Sequence, residues 1–139
     1  MSEEYKYNTY KEALDAVKYI SRSLMHVRPD LQTTGLIEIA IKHWACDFEY
    51  VRKDLITTVM AMTAVRKWGR NFEHVRPDLQ TPALALIAVK KWGPNLKFIP
   101  AHLQTKEVIE IALKKDPKAK EFIKVKEMFK NALEEALGE

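Results

Sequence analysis

Four histidines, one cysteine, three tryptophans and a recurring series of lysines and arginines are the residues of this 139-residue chain with chemistry to offer. His26 and His74 open two copies of one octapeptide, HVRPDLQT at 26–33 and 74–81. In a stack of helices ~8–10 Å apart they would lie ~16–20 Å from each other, too far to share a metal. His43 and Cys46 are half of a tetrahedral site with no second pair to complete it. As a thiol nucleophile and its base they lack a third residue to orient the imidazole. Gly35, Gly69, Gly93 and Gly138 are isolated, so no glycine loop cradles a phosphate. Arg28 with Asp30, Arg52 with Asp54 and Arg76 with Asp78 recur in unit after unit. A catalytic acid is needed once, so these read as local ion pairs or turn hydrogen bonds. No catalytic residue, no metal and no cofactor is expected, and the chain is not read as an enzyme.

Binding chemistry is better represented. Indole rings can stack on bases, but Trp44, Trp68 and Trp92 continue the stripe of Ile37 and Ile41 at helical spacing, which predicts burial between neighbouring units. A basic ladder, Lys18, Lys42, Arg66, Lys90 and Lys114, thickened by Lys67, Lys91 and Lys115, offers one rung per unit to a phosphate backbone. The same cations also suit the negative end of a helix macrodipole. Four residues before each rung, Glu38 and Glu110 are placed for i,i+4 pairs with Lys42 and Lys114, whereas the central copies carry Met62 and Leu86. With Thr58, Pro82, Arg66 and Lys90 around them, Met62 and Leu86 are expected to form an apolar spot with a cationic border, a mark of a partner site.

The elements that position these residues follow from a 24-residue repeat running from residue 9 to residue 137 without a gap. Its clearest columns are Ala16, Ala40, Ala64, Ala88, Ala112 and Ala136, then Val17, Ile41, Val65, Val89, Leu113 and Leu137, then Val27, Val51, Val75, Ile99 and Ile123. Thr9, Thr33, Thr57, Thr81 and Thr105 stand where a helix needs an N-cap; Thr9 with Glu12 has capping-box spacing, and Pro82 suits a first helical position. Gly69 and Gly93 are expected to end helices of ~11 residues, ~16 Å long, in a left-handed conformation. The rest of each unit, with Phe48, Val51 and Leu55 or Phe72, Val75 and Leu79, predicts one short helix or a 3₁₀ turn that tolerates Pro29 and Pro77. The alanine column allows close helix contact and sets the pitch of the stack.

These spacings predict an all-α fold, a right-handed type of α-solenoid of about five helix-plus-3₁₀ repeats with polar end caps. Glu12, Asp15 and Glu135 stand where inner copies are mostly apolar. The expected divisions of the single domain 1–139 are a capping helix at 9–20, repeats at 33–56, 57–80, 81–104 and 105–118, and one longer closing helix at 119–137, so that the array begins and ends within the chain. The length is enough to bury a core without disulfides, and a single cysteine points to a reducing compartment. An acidic N-terminus without an apolar run predicts no signal peptide, and no stretch of ~18 apolar residues predicts a membrane span. A soluble, cytoplasmic monomer is expected. Net charge is +4, from 23 Lys and Arg against 19 Asp and Glu, compatible with an acidic partner without requiring one.

The order of threonine, apolar pair, Ala-Val, lysine, glycine, Phe or Leu, Val, Pro and Leu, as in TPALALIAVKKWGPNLKFIPAHLQT at 81–105, resembles the helical repeats of domain of unknown function 4116. The resemblance covers roughly 33–123 and implies a helical array with no assigned activity. Leucine-rich repeat variant proteins are similar in period, but the cysteine cluster that accompanies some of them is absent here, so no iron–sulfur centre is implied. The expected function is a non-catalytic interaction module that binds another protein, with nucleic-acid binding along the basic ladder as the alternative.

Overall fold

The computed structural model describes residues 5–125, and among them every regular element is helical. Five ten-residue α-helices recur: α1 (Tyr10–Tyr19), α2 (Thr34–His43), α3 (Thr58–Lys67), α4 (Pro82–Lys91) and α5 (Lys106–Lys115). Their starts are spaced as the 24-residue repeat requires. Each helix opens on its threonine, whose hydroxyl accepts the backbone N–H three residues on at 3.2–3.3 Å. This satisfies one of the N–H groups that a helix start leaves without a partner. Glu12 closes only part of a capping box: its carboxylate accepts from the backbone N–H of Asn8, not from that of Thr9.

Between α-helices the chain returns through two 3₁₀ segments rather than one. The longer are Ala45–Tyr50, Gly69–His74 and Gly93–Phe98; the shorter are Lys53–Leu55, Pro77–Leu79 and Ala101–Leu103. Proline reinforces the break in two units, although Arg52, before Lys53, has a ψ of 122° without one. Arg28 before Pro29 and Arg76 before Pro77 have ψ of 131° and 142°, the extended setting that a following proline imposes.

The helix ends differ from expectation. No left-handed glycine closes them; the C-cap residues are Ile20, Trp44, Trp68, Trp92 and Asp116, with φ from −125° to −159°. Gly69 and Gly93 are required for another reason. A Cβ on Gly93 would stand 2.5 Å from the Ala112 carbonyl oxygen, and one on Gly69 2.9 Å from that of Ala88. Each glycine lets the return of one unit press on the last turn of the next helix.

Each α-helix packs on the one that follows it. Ala16, Ala40, Ala64, Ala88 and Ala112 are all buried, as are Leu36, Phe48, Phe72, Leu84 and Leu96 between them. Glu12 and Asp15, on the outer side of α1, are exposed. Buried amides tie the units together, since a polar group without water must find a partner. Asn71 donates to the Ala45 and Ala64 carbonyls at 2.9 and 3.1 Å, and Asn95 to that of Ala88 at 2.9 Å. Gln32 clamps the next return, donating to Tyr50 O and accepting from Arg52 N, and Gln104 does the same with Phe122 O and Lys124 N. Pro100, at the repeat position of Arg52 and Lys124, has no N–H to offer, and Gln80 bonds to Val75 O within its own unit.

The closing helix expected at 119–137 is not seen over its first residues. Pro117–Phe122 is a 3₁₀ segment like its predecessors, begun by an Asp116 carboxylate that accepts from Lys118 N, and Ile123 is extended. Residues 126–137 of that expected helix lie outside the described residues.

Candidate functional site

Contacts at the helix ends fix where the cations stand. Lys67 at the end of α3 donates its ammonium to the Lys42 carbonyl of α2 at 2.8 Å. Gly69 lies against Ala88 and Lys91 of α4, and Gly93 against Ala112 and Lys115 of α5. The C-terminal turns of α2, α3, α4 and α5 therefore stand side by side along one edge. Their last turns carry Lys42 with His43, Arg66 with Lys67, Lys90 with Lys91, and Lys114 with Lys115. None of these lysines or Arg66 has a described carboxylate within ion-pair distance. Lys18, the first rung, is half-buried. The dipole accounts for positive charge at a helix end, and the Lys67 bond to a terminal carbonyl is an instance.

At the other side of each unit, by contrast, the arginines are paired. Arg52 grips Asp54 at 3.2 and 2.8 Å and reaches Pro29 O of the preceding unit at 3.3 Å. Arg76 grips Asp78 and donates to Lys53 O at 2.7 Å. The guanidinium holds Asp30 and Asp78 below the usual carboxylate range through its hydrogen bonds. These forks staple successive turns and leave little charge for a ligand.

The tryptophans overturn their expected burial. Trp68 is 43% and Trp92 48% exposed, and Trp44 is half-buried. The helical stripe ends one residue before each of them; an extended backbone at the C-cap turns the indole off the core face. The column held the clue, because it runs Ile20, Trp44, Trp68, Trp92, Asp116, and its last member is a charged residue, the type least often found fully buried. Between the ends of α3 and α4 the two exposed indoles border a cleft of about 390 Å³. Lys67, Trp68, Gly69 and Arg70 line it from one unit, and Lys91, Trp92 and Asn95 from the next.

The apolar spot is only partly as expected. Thr58, Met62 and Arg66 follow one another at i, i+4 and i+8 on α3, as do Pro82, Leu86 and Lys90 on α4, so these residues share an outward face. Met62 and Leu86 are half-buried and pack against the core, while Thr58 and Pro82 sit at the helix ends away from the cations. Val59, 72% exposed, is the apolar side chain that stands out on this face. The flanking pairs also differ: Glu110 lies 3.8 Å from Lys106 rather than pairing with Lys114, and Glu38 makes no described ion pair.

The remaining candidates are scattered. His26 and His43 are exposed, Cys46 is half-buried, and His74 lies 3.8 Å from Glu49, its pKa lowered by burial and then by Lys53. Among the described residues no three of His, Cys, Asp or Glu come together to hold a metal ion. No described helix is long and apolar enough to cross a membrane. No family model, curated protein or solved structure matches the chain.

Proposed function

We propose that the chain is a non-catalytic interaction module, a right-handed α-solenoid of about five 24-residue repeats like those of domain of unknown function 4116, that binds nucleic acid along the edge of helix C-termini. The observation that carries this reading is the pair of exposed indoles beside Lys67 and Lys91, neither of which has a described carboxylate within ion-pair distance. Cations that follow a row of parallel helices match a phosphate backbone, and aromatic faces match bases. The protein-binding reading, the first expectation from the sequence, is less favoured because Met62 and Leu86 are half-buried against the core. It keeps one observation in its favour, the exposure of Val59 beside them.

The test is fluorescence anisotropy with a labelled oligonucleotide from low to physiological salt. Binding should weaken with a log–log slope of roughly −2 to −4, as expected for about three to six phosphate contacts to a single strand. Arg66→Glu with Lys90→Glu should remove most of the affinity and flatten the slope. Absence of binding at low salt, joined to loss of a protein partner in Val59→Asp, would instead establish the protein-binding reading.

A further inference from the structure

We infer that the cleft between Trp68 and Trp92 is a nucleotide subsite for unpaired bases, so that the edge selects single-stranded RNA or DNA over a duplex. This rests on the nucleic-acid reading of the edge and adds to it a defined place and a strand preference. The two indoles are held by their backbone, Trp68 N–H to Ala64 O at 2.9 Å and Trp92 N–H to Ala88 O at 3.1 Å, and roughly half of each remains open. Lys67 and Lys91 flank them, the first bonded to Lys42 O, and Arg70 stands nearby at 3.8 Å from Glu73. A base carries a flat apolar face beside a phosphate, and this cleft offers flat apolar faces beside cations. A volume of about 390 Å³ lies within the ~300–1,000 Å³ typical of small-ligand sites.

The floor of the cleft is closed: Gly69 is buried, and a Cβ there would meet the Asn95 amide at 2.6 Å. Asn95, fully buried beneath it, donates through Nδ2 to Ala88 O, and its Oδ1, like that of Asn71 one unit earlier, is closed off from an occupant. Duplex DNA keeps its bases stacked on one another and would present only phosphates to this edge. An acidic polypeptide would engage the cations and leave the indoles idle.

The experiment compares four unlabelled competitors against a labelled 12-nucleotide oligo(dT) at low salt: oligo(U), a duplex of equal length, inorganic polyphosphate and poly-glutamate. Anisotropy and intrinsic tryptophan emission are read together. The single strand should compete at least tenfold better than the duplex, polyphosphate or poly-glutamate, and its binding should quench tryptophan emission. Trp68→Ala and Trp92→Ala should each weaken oligo(dT) binding about tenfold, in the range found when a stacked base loses its aromatic partner. The Phe variants should retain most of the affinity and, because about half of each ring is covered, also most of the stability, so they separate loss of stacking from loss of fold. Equal competition by duplex or polyphosphate, with alanine variants that bind like the parent, would overturn the subsite while leaving the cationic edge in place. Preferential competition by poly-glutamate would assign the edge to an acidic protein. No binding of any polyanion would defeat the reading of the edge itself.

Discussion

Asp47 occupies the place where the next two units carry Asn71 and Asn95, and it is as deeply buried as they are. An asparagine there donates to the alanine carbonyl of its own helix; an ionised carboxylate has nothing to donate. Neither Asp47 oxygen makes a well-formed hydrogen bond, and burial, only partly offset by the backbone N–H groups of Leu24 and Arg22, pushes the acid from 3.8 to about 6. Between those values the folded state holds a proton that the unfolded chain has lost, so this group lowers stability as the pH rises through the window. Asp47→Asn should therefore raise stability at pH 7 by roughly 2–3 kcal/mol. The gain should shrink towards pH 4, where the parent is protonated as well. Melting curves of both proteins at pH 4, 5, 6 and 7 measure this, and a gain independent of pH would mean that ionisation is not the cause. The glycines give a second test of opposite signs. Gly35→Ala adds a Cβ to open space inside α2 and should stabilise by about 0.5–1 kcal/mol. Gly93→Ala drives a Cβ onto a backbone carbonyl and should destabilise clearly more than that.

The α-helices were readable from the sequence almost to the residue, because threonine caps and the alanine column are local signals repeated five times. What was not readable lay just past the helix ends. Helical spacing assigns a residue to the core face without knowing whether the helix extends that far, and Trp68 and Trp92 fall one residue beyond it. Gly69 and Gly93 were misread for a related reason: helix punctuation is a local rule, while their role is set by a carbonyl 19 residues further along the chain. The candidate site was thus half legible. Its cations stood out as a ladder, and its aromatic faces did not. The alanine column is buried throughout the described residues, and it supports a prediction. Ala64→Leu or Ala88→Leu must fit extra methylenes into a fully buried helix contact and should lose ~1–3 kcal/mol in chemical denaturation. A variant as stable as the parent would show that the helices do not approach through this column.

At the scale of the whole molecule the repeat converts small local choices into a charge asymmetry. Among the described residues the C-terminal turns of α2 to α5 lie side by side and gather their cations along one edge, while Arg28, Arg52 and Arg76 are paired with Asp30, Asp54 and Asp78. A net charge of only +4 conceals this separation, which is why composition alone decided little. Nuclear magnetic resonance reads the claim most directly, because three tryptophans give three indole N–H signals. On titration with a single-stranded oligonucleotide, the Trp68 and Trp92 indoles and the amides of residues 66–70 and 90–95 should shift together. The Trp44 indole should move less, and the amides around Asp30, Asp54 and Asp78 should stay in place. Shifts gathered instead on Val59, Met62 and Leu86, or spread over the paired arginines, would contradict the assignment of function to the edge of helix C-termini.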